Sequence, residues 1–157
     1  KLTPFTHQPE PYGNTRTIQT NGNTVTMSST AGPLNWAGIR YDLQQTPQIQ
    51  ELVFDVHIKL DQLTGSESVQ FNFILEEDDG DRWHVPDYTS EGYLPVRPTG
   101  NWHRFSLRLS EFDFWPQFQK LQEPGRIKYL KIEAQNAGNV SFIAQIKVNV
   151  VAVQPIR

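Results

Sequence analysis

Gly100–Phe112 reads GNWHRFSLRLSEF, and this stretch decides the fold class. Phe105, Leu107 and Leu109 alternate with Arg104, Ser106 and Arg108, the period of two that marks a strand buried on one side. Gly100-Asn101 breaks the chain before the run, and Ser110-Glu111 breaks it after. The apolar trio faces a core. The arginines, headed by Trp102, face something wet, and they are too rich in planar donors to be solvation alone.

The same division recurs outward from this strand. Leu52, Phe54, Val56, Ile58 and Leu60 form one apolar stripe, with Glu51, Asp55, His57 and Lys59 opposite. Burying such a stripe contributes roughly 1.5–3 kcal/mol per side chain. Val69, Phe71, Phe73 and Leu75 stand against Gln70, Asn72 and Glu76, and Ala37, Ile39, Tyr41 and Leu43 against Trp36, Arg40 and Asp42. Leu130, Ile132 and Ala134 alternate with Tyr129, Lys131, Glu133 and Gln135. Val140–Ala152 closes the pattern, with Phe142, Ile146, Val148 and Val150 inward.

Turn chemistry separates these units. Asn21-Gly22 joins two Thr-rich strands as a hairpin, and Asp79-Gly80 returns the chain through Arg82–Val85. Pro86–Pro98 reads as a long loop, and Phe112–Leu121 as a short helix or turn around Trp115-Pro116. No segment carries a helical period. About eight to ten strands of this kind predict an all-β protein, an antiparallel two-sheet β-sandwich of jelly-roll type. Residues 1–14, with Pro4, Pro9 and Pro11, read as a linker or N-terminal arm, and 15–157 as a single sandwich domain.

Composition narrows the partners. A net charge of −3 over 157 residues opposes electrostatic nucleic-acid binding, and no apolar run approaches membrane-spanning length. Without cysteine there is neither a disulfide nor a thiolate metal site, which leaves the compartment open. Lys1, with no initiator Met before it, reads as the start of a mature or excised chain.

Each chemical candidate has a plain structural reading beside it. In Glu76-Glu77-Asp78-Asp79-Gly80-Asp81, an EF-hand with Gly80 at its sixth place would need an acid at Leu75 and Glu at Pro86. Neither is present, so a solvated acidic turn is the simpler reading. Glu76, Asp78 and Asp81 resemble the spaced carboxylates of jelly-roll glycosidases, but Asp79-Gly80 turns the chain between them. His7, His57, His84 and His103 are scattered, and there is no nucleophile elbow. No catalytic residue is assigned. The aromatics remain, because an aromatic ring beside planar polar groups suits the C–H face and the hydroxyls of a sugar.

FNFILEEDDGDRWHV, GNWHRFSLRLSEF and IKYLKIEAQNAGNVSFIAQIKVNV, in that order, resemble the galactose-binding-like jelly-roll carbohydrate-binding modules. The similarity is nearest to family eleven and the intermediate-associated-protein-like domains, over roughly positions 67–150. The resemblance implies a non-catalytic, secreted module that targets a covalently linked polysaccharide-degrading enzyme to plant or algal polysaccharide, β-glucan-type chains above all. It passes the groove role of the segment after Ser-x-Phe to Asp113 and Trp115. Ala144-Gln145 stands where the family often has Asp-Asn near a structural calcium, so calcium is not favoured and no cofactor is expected. The expected carbohydrate-binding set is Trp83, Tyr88 and Trp115 as an aromatic platform, with Arg40, Asp113, Arg104 and Tyr129 supplying hydrogen bonds. The alternative is a protein-interaction or assembly domain, whose mark would be an exposed apolar patch.

Overall fold

The computed structural model describes residues 9–42, 51–77, 80, 82–84, 95–108, 113–114, 127–135 and 137–153. At 51–52, 83–84, 113–114, 127 and 150–153 it describes the backbone alone. Eleven strands follow one another: β1 (Glu10–Gly13), β2 (Thr15–Asn21), β3 (Thr24–Ser29), β4 (Trp36–Asp42), β5 (Glu51–Thr64), β6 (Phe71–Glu77), β7 (Arg82–His84), β8 (His103–Arg108), β9 (Asp113–Phe114), β10 (Ile127–Gln135) and β11 (Ser141–Val153). They form a six-stranded sheet in the order β1-β4-β10-β6-β7-β9 and a five-stranded sheet in the order β2-β3-β11-β5-β8. Every described pairing is antiparallel. The chain crosses between the sheets repeatedly, as from β3 to β4, β4 to β5 and β10 to β11. This is the jelly-roll sandwich that the alternating stripes predict.

The two faces of each strand explain the architecture. Phe54, Phe71, Phe73, Leu107, Ile132 and Phe142 are all buried in one core between the sheets. Phe71 meets Phe142 edge-on at 6.1 Å and Phe73 meets Phe105 at 5.1 Å, contacts that lock β6 to the opposite sheet. The long β5–β11 ladder, from Ser141 opposite Thr64 to Val153 opposite Glu51, is the spine of the five-stranded sheet.

The first glycine turn forms one residue further on than expected, at Gly22-Asn23, and of the second only Gly80 is among the described residues. Asn21 pairs with Thr24 around Gly22 at φ 62°, and Glu76 pairs with Arg82 across the turn containing Gly80 at φ 92°. The expected arm needs correction at Glu10–Gly13, which is β1, the edge of the six-stranded sheet beside β4. Asn14 anchors the exit from β1, since its backbone N–H donates to the Trp36 carbonyl and its side chain to that of Leu34. The expected loop 86–98 is tied down at Val96, which is fully buried and bridges Val69. In the expected helix or turn, Asp113–Phe114 is strand β9.

Candidate functional site

Residues directly opposite each other in an antiparallel ladder share a face, so the register sorts the outer surface into ranks. On the six-stranded sheet one rank runs across every strand: Glu10, Arg40, Lys131, Ile74, His84 and Asp113. The next is Asp42, Tyr129, Glu76 and Arg82. On the other side of the long rank lie Tyr12, Gly38, Glu133 and Asn72, and beyond them Trp36 beside Gln135.

Side chains on this face are ordered by one another. Arg40 pairs with Glu10, and its guanidinium lies 4.1 Å from the centre of the Tyr129 ring. Lys131 Nζ sits 2.6 Å from Glu76 Oε2, with both side chains about four-fifths buried. The same ammonium stands 5.4 Å from the Tyr12 ring. Tyr12 lies over Gly38, where a side chain would collide with the Ile132 carbonyl and come within 2.8 Å of the Tyr12 hydroxyl. A glycine here therefore makes room for a ring.

The Tyr12 hydroxyl donates to Glu133 Oε1 at 3.3 Å. Burial, and then the neighbouring Glu133 charge, push the Tyr12 pKa well above its ordinary value, so it remains a donor. Burial also raises the Glu133 carboxyl, against the opposing pull of the Tyr12 hydrogen bond, Lys131 and Arg82. Asn72, directly opposite Glu133, is 0% exposed, and among the described residues neither end of its amide has a hydrogen-bond partner. A buried amide in that condition is costly. Trp36, 42% exposed, closes this end of the face.

The expected carbohydrate-binding set divides. Arg40 and Tyr129 come into contact, and Asp113 stands at the far end of the Arg40 rank. Trp83 sits in the ladder between Leu75 and Phe114, in the rank of Tyr41 and Leu130 and not that of Arg40. Arg104 is on the other sheet. It pairs with Asp55 at 2.8 Å on the outer face of the five-stranded sheet, so it does not join Arg40. Tyr88 and Trp115 lie outside the described residues. Tyr12, Trp36, Gln135 and Asn72 were not in the expected set. Tyr12 was hidden because its segment has three prolines and no period, although an aromatic beside Gly13 in a strand-length stretch was a usable signal.

Of the acidic turn, Glu76 is committed to Lys131 and Glu77 is buried, while Asp78, Asp79 and Asp81 lie outside the described residues. Among the described residues no group of three or more His, Asp or Glu is placed to hold a metal ion. No described helix is long and apolar enough to cross a membrane.

No protein-family model matches the sequence, and no curated relative matches it. Solved structures do match the fold. A family 11 carbohydrate-binding module from Clostridium thermocellum, in complex with a β-1,3-1,4-mixed-linked tetrasaccharide, superposes with a TM-score of 0.55 at 15% identity, covering 96% of this chain and 89% of that one. The chain shares the jelly-roll β-sandwich fold of that module. The same module fold occurs inside larger proteins. PfGH50B matches with a TM-score of 0.61 at 10% identity, over 95% of this chain and 23% of its own. The agarase AgWH50C matches with a TM-score of 0.60 at 9% identity, over 97% of this chain and 24% of its own.

Proposed function

We propose that this module is non-catalytic and binds a polysaccharide chain, of the β-glucan type, across the outer face of its six-stranded sheet. In the full-length protein it would be joined to a polysaccharide-degrading catalytic domain and act outside the cell. The observation that carries the reading is the ordered rank of Glu10, Arg40 and Lys131 with the Tyr129 and Tyr12 rings beside it. Planar groups already held in place lose little freedom when they meet sugar hydroxyls. Two rings, in the ranks that flank the Arg40 rank on either side, supply apolar surface for the C–H faces of a sugar chain. The tetrasaccharide carried by the family 11 module and the larger enzymes that contain the fold support the same direction.

A protein-assembly role would call for an apolar patch. Among the described residues only Leu34 and Trp36 are large, apolar and exposed, which is too little for one. Trp83 and Arg104 leave the proposed contact set; Asp113 remains in it through its place in the Arg40 rank and the family resemblance, Trp115 through the resemblance alone, and Tyr88 as an aromatic of the 86–98 segment.

Hydroxyl contacts largely replace contacts with water, so affinity should fall between about millimolar and micromolar, or roughly −4 to −8 kcal/mol. A neutral chain releases no counterions, so binding should scarcely respond to salt. Affinity electrophoresis in mixed-linkage β-glucan, xylan, mannan or agarose, followed by calorimetry, tests the reading. Tyr129→Ala and Arg40→Ala should each weaken the best ligand about tenfold. If both variants fold and bind like the parent, this face is not the site.

A further inference from the structure

The opposite face of the sandwich carries a different arrangement. On the outer side of the five-stranded sheet, Lys147, His57 and Arg104 stand directly opposite one another on β11, β5 and β8. Adjacent strands lie about 4.8 Å apart, so this is a row of nitrogen-bearing side chains roughly 10 Å long. Lys59 follows His57 two residues along β5, on the same face. Trp102, just before β8, brings the ammoniums together: Lys147 Nζ is 4.3 Å and Lys59 Nζ 5.1 Å from its ring centre.

Like charges placed side by side repel, and ordering two lysine side chains costs rotamer freedom. Among the described residues neither ammonium has a carboxylate within 4 Å to relieve that cost, whereas Arg104 has Asp55. The indole stabilises both cations without neutralising either. The result is a preorganised positive patch on a protein whose net charge is −3.

We propose that this patch is a second binding site, for the anionic groups of an acidic polysaccharide. Lys59 and Lys147 would bind a carboxylate or sulfate, His57 and Arg104 would extend the contact along the row, and Trp102 would hold the ammoniums in position. Charge complementarity selects the anion. The choice of a polysaccharide over other polyanions rests on the reading of the fold as a carbohydrate-binding module. Duplex DNA, with a charge about every 1.7 Å, meets stronger repulsion from a net negative protein than a sparsely charged glycan does. A bilayer is disfavoured because neither of the large apolar side chains exposed among the described residues, Leu34 and Trp36, is on a strand of this sheet.

The test is affinity electrophoresis of the whole chain in κ-carrageenan, alginate and neutral agarose, repeated from about 20 to about 200 mM NaCl, where screening shortens the range of charge interactions. The parent should be retarded by at least one acidic polymer, and the retardation should fade with salt. The double variant Lys59→Gln/Lys147→Gln should weaken that binding about tenfold, and Lys59→Arg/Lys147→Arg should retain it. Thermal melts establish that both remain folded. Tyr129→Ala should leave acidic binding unchanged, which separates this site from the six-stranded face even if that face proves inactive. Salt-insensitive binding, equal binding by the glutamine variant, or binding to phosphatidylserine vesicles in place of both acidic polymers would overturn the proposal.

Discussion

The two outer faces of this sandwich are built from the same strand pattern but handle charge in opposite ways. On the six-stranded sheet, Arg40 and Lys131 each have a carboxylate, from Glu10 and Glu76, and each lies beside a tyrosine ring. On the five-stranded sheet, Lys59 and Lys147 share an indole, and among the described residues neither ammonium has a carboxylate within 4 Å. Compensated charge with aromatic surface suits an uncharged ligand rich in hydroxyls. Uncompensated charge suits an anion. Alternation alone makes a surface wet, and the cross-strand neighbours decide what kind of wet surface it is.

Gly38→Ala tests the first face most severely. Its methyl group would meet the Ile132 carbonyl and the Tyr12 hydroxyl, so stability should fall by at least about 2 kcal/mol. Denaturant unfolding that shows an unchanged midpoint would mean that Tyr12 does not need this glycine. Lys131→Met should cost about 1–3 kcal/mol, because it leaves a largely buried Glu76 carboxylate unpaired. Denaturant unfolding measures that loss, and an unchanged midpoint would argue against the ion pair as a source of stability.

Glu133→Gln should have the opposite sign. The folded-state pKa of Glu133 is raised, so the folded protein binds this proton more tightly than the unfolded chain does. The stability linked to that proton is complete below the ordinary carboxylate pKa and is lost as pH rises through the folded value. Glutamine does not titrate and can still accept from Tyr12. The variant should therefore melt modestly higher at pH 7 and like the parent near about pH 4, and a lower melting temperature at pH 7 would refute the burial argument. Arg104→Ala should change least. Its side chain is 66% exposed, so losing the Asp55 pair should cost under about 0.5 kcal/mol. A much larger loss would mean that the five-stranded face is held together by ion pairs after all.

The sandwich was legible because burial demands a strict period of two. Phe54, Val56, Ile58 and Leu60 could be assigned to a core without any knowledge of their partners, and the Gly22 and Gly80 turns follow from the positive φ that they require. The wet side of each strand was equally legible, Arg40 and Arg104 alike. Their separation was not, since alternation gives a residue's side within its own strand but not the sheet to which that strand belongs. β4 and β8 lie in different sheets, so two arginines in similar patterns end on opposite surfaces.

The sequence by itself determined the all-β class, the core stripes, the hairpin turns and the polar character of both outer surfaces, because these depend on local geometry and on excluding apolar side chains from water. Only the tertiary structure decided that Glu10–Gly13 completes a sheet, that Tyr12 covers Gly38, and that Trp102 joins Lys59 to Lys147. Each of these brings together residues from different strands, some far apart in the chain. Strand order and register set such neighbours, and no local period encodes them.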